Sequence, residues 1–268
     1  MAKVISFSSG KGGVGKSTLS TNLGCLFAQM GRRTLLIDGD WNLGKLSIML
    51  GVKPRVTIDA VLRGEVHLAD AIEKVRPDLG LLAAPSGRIG FEEMDEATRN
   101  GLFYQLDGLS TSNDIVVLDH SSGIHWSVLQ FAAASHQHVI VTTGEPTSYT
   151  DAYAIMKVLS KRFGVRRFGL IVTMSESQKE TERVIARFEE VVENHLGVHL
   201  KVLDIIPWEQ KLAEAIRYQQ PFVERYPTHE LTRRFRQICQ ELDRFPVSAS
   251  TGLQFFSGEQ TPTTAGLP

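Results

Sequence analysis

A glycine-rich loop near the amino terminus restricts what this chain can fold into more than any other feature. Residues Gly10 to Ser17 read Gly-Lys-Gly-Gly-Val-Gly-Lys-Ser and fit the phosphate-binding pattern G-x-x-x-x-G-K-[ST]. The glycines let backbone N–H groups turn inward around phosphate oxygens, in dihedral regions that a Cβ penalises. A strand-like run at Lys3–Ser8 precedes the loop, and a helical pattern at Ser17–Met30 follows it. Because the motif requires this strand–loop–helix context, the sequence predicts a nucleotide-binding site here.

Individual residues of the loop have expected roles. The Lys16 ammonium group is placed to reach the outer phosphates, and the Ser17 hydroxyl is a candidate ligand of Mg²⁺. The helix that begins near Ser17 adds its positive dipole end to the anion site. A second lysine, Lys11, directly follows the first glycine. The predicted nucleotide-contacting residues of this segment are Gly10, Lys11, Gly12, Gly13, Val14, Gly15, Lys16, Ser17 and Thr18.

Length and charge favour a globular protein with one core. The chain has 268 residues, 42% of them hydrophobic, which is enough for a single domain with a large core. Its 29 basic and 30 acidic residues leave a net charge of −1, so no overall field favours nucleic acid or an anionic membrane. No uninterrupted apolar run of about 18 residues occurs, so no membrane-spanning helix is expected.

The cysteine pattern favours a reducing compartment. The two cysteines, Cys25 and Cys239, fall in predicted helices far apart in the sequence, and no C-x-x-C pattern occurs. This argues against a disulfide framework, a zinc ribbon and an iron–sulfur site, and for small buried side chains. A first strand at the start of the chain, without a secretion segment before it, agrees with this. We therefore expect a cytoplasmic protein.

Short β-branched runs alternate with helical patterns along most of the chain. Most of these runs are continuously apolar, as expected for central strands that are covered on both faces. The alternation predicts an α/β fold: a doubly wound, mostly parallel sheet flanked by helices. The predicted strands are Lys3–Ser8, Thr34–Asp38, Leu79–Ala84, Asp114–Asp119, Gln137–Thr143, Phe168–Met174 and Val202–Ile206.

The composition changes at Phe245. From there the sequence is rich in serine, threonine, glycine and proline, which is typical of a segment that does not pack into a core. We therefore predict one domain over residues 1–244 and a disordered polar tail over residues 245–268.

Carboxylates close two of the predicted strands, at the edge where a doubly wound sheet binds its ligands. Asp38 and Asp40 follow one apolar run, and Asp119 ends another. Asp119 is predicted on the metal side of the site with Asp38 beside the metal, since Mg²⁺ prefers oxygen ligands. Asp40 is predicted to orient or deprotonate an attacking water. The alternative is that these aspartates only cap turns and helices.

Three segments together resemble the MinD/ParA class of deviant P-loop ATPases. They are the run Lys11–Thr18, the pair Asp38-x-Asp40 and the apolar run into Asp119, and the resemblance extends from residue 2 to about residue 242. The resemblance implies that the chain hydrolyses ATP with Mg²⁺ and forms a homodimer when ATP is bound. It also implies that Lys11 reaches across the dimer to the phosphates of the partner. A cation donated by the partner offsets the repulsion between two facing triphosphates, as an arginine finger does.

A narrower similarity lies at Gly144–Tyr153. This run is similar to the segment P-E-P-T-S-x-T-D-A-Y of the flagellar number regulators of the FlhG (FleN) type. It implies control of flagellar placement or number through a protein partner such as a flagellar assembly or regulatory protein. In physical terms, we expect Ser148 and Asp151 to form a capping box that starts a helix running to about Phe163.

Several residues depart from the family pattern. In the family's first switch segment, here Asp38–Lys45, Asn42 and Lys45 stand where the family has glycine and asparagine. In the second switch segment, here Asp119–Gly123, His120 follows Asp119. The interpretation favoured for His120 is a packed or solvated residue rather than a group at the γ-phosphate. Thr173 stands where the family has an asparagine that reads adenine. The adenine-contacting residues are therefore predicted to be Thr173, Pro207, Trp208 and Glu209, although Trp208 is equally compatible with a core position.

Two alternatives to a flagellar switch ATPase remain from the sequence. One is a ParA-like partition ATPase that binds DNA without sequence specificity through basic clusters. The other is a nucleotide-binding scaffold with very slow hydrolysis. DNA binding is the less favoured explanation of the basic residues, which also suit a helix C-terminus and a solvated face. No stable membrane anchor is expected, because the tail has no lysine or arginine after Arg244. The basic clusters are Lys157, Lys161, Arg162, Arg166 and Arg167 on one side, and Arg233, Arg234 and Arg236 on the last helix.

Overall fold

Eight strands form one sheet in the described residues, which are 2–41, 43–85 and 96–245 of the computed structural model. The sheet order is β3-β4-β2-β5-β1-β6-β7-β8, with β3 antiparallel to β4 and every other neighbouring pair parallel. The predicted doubly wound, mostly parallel α/β fold is therefore confirmed. The strands are β1 (Lys3–Ser8), β2 (Thr34–Gly39), β3 (Ile72–Arg76), β4 (Leu79–Leu82), β5 (Ile115–His120), β6 (Gln137–Thr143), β7 (Arg167–Ser175) and β8 (His199–Pro207).

Helices cover both faces of the sheet. Short 3-10 helices at Leu68–Ala71 and Leu109–Thr111 complete the described part. The α-helices are α1 (Lys16–Gln29), α2 (Leu46–Leu50), α3 (Ile58–Leu62), α4 (Glu96–Gly108), α5 (Trp126–Ala133), α6 (Pro146–Phe163), α7 (Gln178–Leu196), α8 (Gln210–Arg217), α9 (Phe222–Arg225) and α10 (Glu230–Arg244). None of these helices is long and apolar enough to cross a membrane.

Alternate residues of each strand pack into different layers, because successive side chains of a strand point to opposite faces. On one face, Ile5 and Phe7 of β1 contact a core formed with α1 and α10. On the other face, Val4 packs in a core with α3, α4 and α5. A third core joins β6 and β7 to α6 and α7. The central strands are buried on both faces, which explains their continuously apolar sequences.

The prediction missed the edge strand β3. Its sequence, Ile-Glu-Lys-Val-Arg, is only partly buried and pairs antiparallel with β4 through an irregular register near Arg76. Charged side chains on an edge strand discourage pairing with other chains, and they also hide the strand from a search for apolar runs.

The predicted capping box at the start of α6 is wrong. The helix begins three residues earlier than that motif requires, with Pro146 at its first position and Glu145 as N-cap, and no side chain of the described residues caps it. Proline is suited to this position because its fixed φ matches the helix and its missing N–H would have no partner there. The Ser148 hydroxyl instead accepts a hydrogen bond from the backbone N–H of Thr143 (3.1 Å) and bonds to Thr142 Oγ1 (2.7 Å).

The packed part of the chain includes Phe245, which the composition assigns to the tail. Phe245 is buried, and its carbonyl oxygen accepts a hydrogen bond from Gln137 Nε2 at 2.7 Å. The remainder of the predicted tail, residues 246–268, lies outside the described residues. The expectation about membrane anchoring rests on that tail and stays a prediction.

Phe235 tests the contribution of α10 to the main core. It is fully buried between α1 and α9, so Phe235→Ala should lower the free energy of unfolding by roughly 3–5 kcal/mol. Urea denaturation measures this, with the exposed neighbour Gln237→Ala as the matched control. Equal, small losses in the two variants would show that α10 is not part of the cooperative unit.

Candidate functional site

The glycine-rich loop lies between the carboxyl end of β1 and the start of α1. Gly13 and Gly15 have φ values of +79° and +86°, a backbone conformation that residues with a Cβ rarely adopt. Gly15 is the N-cap of α1, and the helix begins at Lys16. The first N–H groups of a helix have no partner within it, so the turn offers donors to an anion. The local sequence therefore produces the predicted phosphate-binding geometry.

Neighbouring segments hold this loop in place. The Ser9 hydroxyl donates to the carbonyl of Lys11 at 2.9 Å, and the N–H of Gly123 donates to the carbonyl of Ser9 at 2.9 Å. Gly10 packs so closely on α6 that an added Cβ would lie 2.3 Å from the Cβ of Asp151. The second switch segment and α6 thus both fix the path of the loop.

Thr173, predicted to contact adenine, supports the loop from below. Its side chain is buried, and its hydroxyl lies 2.7 Å from the carbonyl oxygen of Val14 and 3.2 Å from that of Thr142. An added Cβ on Gly15 would lie 3.8 Å from the Thr173 methyl group. The next residue, Met174, is more than one-third exposed and has a φ of +55°. The structure therefore brings Thr173 to the loop backbone and leaves Met174 at the open surface.

Lys16 is a nearly buried cation without a direct counterion. Its residue is 7% exposed, and within the described part of the chain no hydrogen bond or ion pair involves its ammonium group. Burial lowers the pKa of Lys16, while the charge of Asp119 acts in the opposite direction. A buried cation requires an opposite charge, so this position fits an anionic ligand such as a phosphate.

Asp119 lies at the centre of the carboxyl edge of the sheet. It pairs in register with Phe7 on one side and with Asp38 on the other. One carboxylate oxygen accepts a hydrogen bond from Ser20 Oγ at 3.1 Å. Burial raises the pKa of Asp119, and the nearby Ser17 hydroxyl acts to lower the pKa of this carboxyl. Hydroxyl and carboxylate oxygens are the donors that Mg²⁺ prefers, so Ser17 and Asp119 fit this cation.

Asp38 is buried and organises the first switch segment. Its Oδ2 accepts hydrogen bonds from the N–H groups of Lys45 (2.7 Å) and Leu46 (2.9 Å), and its Oδ1 accepts one from Asp40 N–H (3.2 Å). Burial, with the charge of Asp119 second, raises the pKa of Asp38 to about 7. The carboxylate therefore shapes the turn before α2, and its predicted position beside the metal stays a prediction.

Asp40 is partly exposed at the same edge. Its Oδ2 is 2.9 Å from Lys45 Nζ, and its Oδ1 accepts a hydrogen bond from the N–H of Leu43 at 3.3 Å. The sequence indicated that Lys45 departs from the family pattern, but not that its side chain pairs with Asp40. Lys45 and Asp40 are five residues apart in the sequence. Asp38 brings them together by accepting hydrogen bonds from the backbone N–H groups of both.

Lys11 contacts a residue that the sequence did not select. Its Nζ lies 2.5 Å from Oε2 of Glu145, and both side chains are largely exposed. Glu145 is the N-cap of α6 and belongs to the segment that resembles flagellar regulators. The sequence signals for Glu145 were its place in that segment and its place directly after β6, at the carboxyl edge of the sheet.

His120 is packed, which is one of the two outcomes that the favoured interpretation left open. The side chain is buried, and its ring centroid is 6.5 Å from that of Phe131. Burial lowers the pKa of His120 to about 3, with the charge of Lys16 a smaller cause. The imidazole is therefore neutral at physiological pH.

The segment after β8 is open to solvent. Trp208 is 65% exposed, so the alternative of a core aromatic is excluded. The backbone N–H of Trp208 donates a hydrogen bond to the carbonyl oxygen of Ser175 at 3.2 Å, which connects this segment to the end of β7. Glu209 caps α8 by accepting a hydrogen bond from Lys211 N–H at 3.0 Å. Pro207 ends β8 at this edge, and contact of the three residues with adenine stays a prediction.

The fold and the site together define a P-loop nucleotide-binding protein of the doubly wound type. Residues 5–222 match the family model described as the CobQ/CobB/MinD/ParA nucleotide binding domain. The chain belongs to this family and is an ATPase of the MinD/ParA class.

The relatives include flagellar proteins. The antiactivator FleN of Pseudomonas aeruginosa is 31% identical over 256 residues, which cover 95% of this chain and 91% of that protein. The flagellum site-determining protein YlxH of Helicobacter pylori is 34% identical over 195 residues, covering 73% of this chain and 66% of that protein. The predicted resemblance to the MinD/ParA class, close to the flagellar number regulators, is confirmed.

A solved structure shows the same fold. The septum site-determining protein MinD of Pyrococcus horikoshii, in complex with Mg-ADP, superposes with a TM-score of 0.74 at 26% identity. The match covers 91% of this chain and 97% of that one.

Thr173 provides a test of how the loop is supported. Thr173→Val keeps the shape of the side chain but leaves the carbonyl of Val14 without its partner. We expect a loss of about 1–3 kcal/mol in the free energy of unfolding and weaker binding of ATP and GTP alike. Urea denaturation and nucleotide titration measure the two effects, with Thr173→Ser as the control that keeps the hydroxyl. Weaker binding of ATP alone, with unchanged unfolding, would instead indicate a contact with the base.

Proposed function

We propose that this chain is an ATP-dependent, Mg²⁺-assisted dimer switch that controls the placement or number of flagella. The observation that carries the nucleotide site is the buried Lys16 cation at the start of α1 near Asp119, which has no direct counterion among the described residues. Phosphate groups provide the missing negative charge, and the glycine-rich turn provides backbone donors around them.

The residues of the site divide the work of ATP hydrolysis. Lys16 binds the outer phosphates, and Ser17 and Asp119 hold Mg²⁺, directly or through water. Mg²⁺ at this position neutralises charge on the phosphates. The MinD of Pyrococcus horikoshii with Mg-ADP supports the choice of cation. Asp40 orients or deprotonates the attacking water, and Asp38 positions Asp40 through the turn that it closes.

Dimerisation uses Lys11. Two bound triphosphates facing each other repel, and a cation donated by each protomer offsets that repulsion. The Lys11 side chain is largely exposed and held by one ion pair with Glu145. Because an exposed ion pair contributes only about 0–1 kcal/mol, Lys11 is available to exchange Glu145 for a phosphate of the partner. We expect this exchange to take place in the cytoplasm with ATP rather than ADP.

The flagellar role rests on the relatives. FleN, an antiactivator, and YlxH, a flagellum site-determining protein, match most of this chain. The partner is therefore proposed to be a flagellar assembly or regulatory protein that binds the dimer.

DNA partitioning is the less favoured function. Lys157, Lys161, Arg162, Arg166 and Arg167 are all exposed at the end of α6 and the start of β7. Two of them lie in the last turn of α6, where cations stabilise the helix dipole. Of the second cluster, Arg234 is engaged with Asp204. DNA binding that requires ATP and falls steeply with salt would favour this alternative.

Sizing with ADP and with ATP tests the switch. We expect a monomer with ADP, a dimer with Mg-ATP, and no ATP-dependent dimer for Lys11→Ala, because the charge donated to the partner is gone. Size-exclusion chromatography with light scattering measures the mass. Asp40→Ala serves as a control that should bind ATP and dimerise while losing hydrolysis.

Three outcomes would contradict parts of this proposal. If ATP never changes the mass of the wild-type protein, the switch is wrong. If ATP binding equals that of Lys16→Ala, the nucleotide site is wrong. If ATP is bound without turnover above Lys16→Ala, the chain is a scaffold.

Co-purification tests the partner. Wild-type protein should retain flagellar assembly or regulatory proteins from cells in the presence of ATP, and Lys11→Ala should lose them because the dimer does not form. Mass spectrometry of the bound fraction measures this, with Arg162→Ala as a surface control far from the loop. Retention by Lys11→Ala at wild-type levels would show that the partner does not recognise the dimer.

A further inference from the structure

Lys45 is a third lysine at the carboxyl edge of the sheet, where the nucleotide is proposed to bind, in addition to Lys11 and Lys16. It is the N-cap residue of α2, and its side chain is half exposed. The positive charge of Lys45 helps to lower the pKa of Lys16. The negative charge of Asp119 helps to raise the pKa of Lys45. The Lys45 ammonium therefore lies within electrostatic reach of both groups that flank the predicted phosphates.

The Lys45 side chain is paired with the residue proposed to act on water. Its Nζ is 2.9 Å from Asp40 Oδ2, while the N–H of Leu43 lies 3.3 Å from Asp40 Oδ1. Each oxygen of Asp40 thus has a donor within the first switch segment. A water molecule that needs Asp40 as acceptor must compete with the ammonium group for Oδ2.

We propose that Lys45 senses the terminal phosphate of ATP: it forms an ion pair with Asp40 and exchanges this partner for the γ-phosphate when ATP binds, which frees Asp40. This inference rests on the proposed function. It concerns ATP rather than ADP, because ADP has no γ-phosphate to which Lys45 could bind.

The surroundings permit this movement. The backbone N–H of Lys45 is bonded to the buried Asp38, so the main chain stays in place while the four-carbon side chain turns. The Lys45–Asp40 pair is partly exposed to solvent, with the Lys45 side chain 50% exposed, so it contributes little to stability. A terminal phosphate group carries more negative charge than a carboxylate and forms a stronger hydrogen bond with an ammonium group. The phosphate therefore displaces the Asp40 carboxylate as the partner of Lys45.

Equilibrium binding tests the proposal without reliance on turnover. All variants carry Lys11→Ala, which removes the proposed dimer contact, and calorimetry measures the affinity for Mg-ADP and for a non-hydrolysable ATP analogue with Mg²⁺. Lys45→Gln should weaken binding of the analogue about tenfold more than binding of ADP, the factor carried by one charge-assisted hydrogen bond. Lys45→Arg keeps the charge and should retain most of the preference.

A double-mutant cycle tests the ion pair itself. Asp40→Asn releases Lys45, so it should improve affinity for the analogue more in the presence of Lys45 than in the Lys45→Gln variant. The difference expected from an exposed pair is about two- to fivefold. The cycle removes the general effect of taking a negative charge away from a triphosphate, because that effect is present in both backgrounds.

The possible failures are distinguishable. If the parent protein binds the analogue no better than Lys16→Ala does, the proposed nucleotide site fails and this inference fails with it. If the analogue binds but Lys45→Gln weakens ADP equally, or if Asp40→Asn has the same or a smaller effect in the presence of Lys45, only the role of Lys45 is wrong. A circular dichroism melt of each variant identifies any that has unfolded.

Discussion

The charge of Lys16 is the constraint around which the site is built. A lysine that is almost buried at the start of α1 requires negative charge nearby, and burial has already lowered its pKa. Asp119 supplies part of that charge at the end of β5, but within the described part of the chain no carboxylate pairs with Lys16 directly. The site is therefore electrostatically incomplete without an anion. This is the physical basis for the coupling between nucleotide binding and the arrangement of the loops around it.

The glycine-rich loop and the first switch segment are held by two kinds of contact: buried hydrogen bonds to their backbones, and ion pairs of their lysine side chains at the surface. Thr173 and Asp38 bind backbone groups from buried positions and fix the glycine-rich loop and the first switch segment. Lys11 and Lys45, by contrast, are held by single exposed ion pairs with Glu145 and Asp40. Exposed pairs are easily exchanged for a phosphate. A rigid base with movable cations is the arrangement that a nucleotide-dependent switch needs.

The relation of the molecule to its family follows the same division. The parts that bind phosphate match the pattern of the MinD/ParA class, and the match to its nucleotide binding domain covers residues 5–222. The departures at Lys45, His120 and Thr173 lie in the segments around the glycine-rich loop. Lys45 replaces an asparagine of the family pattern and reaches Asp40, whereas His120 turns into the core beside Phe131. One departure therefore changes the charge of the site, and the other changes packing beneath it.

The sequence alone determined the fold class, the phosphate loop and the carboxyl-edge aspartates, because these depend on local patterns: continuous apolar strands, glycines before a helix, and carboxylates at strand ends. It missed β3, since an edge strand with charged residues has no apolar run. It also misplaced the start of α6 and could not select Glu145 as the partner of Lys11. Only the tertiary structure decided that Thr173 supports the loop, that Phe245 belongs to the core and that Lys45 pairs with Asp40. Each of these depends on which distant segments the sheet order brings together, and no local pattern carries that information.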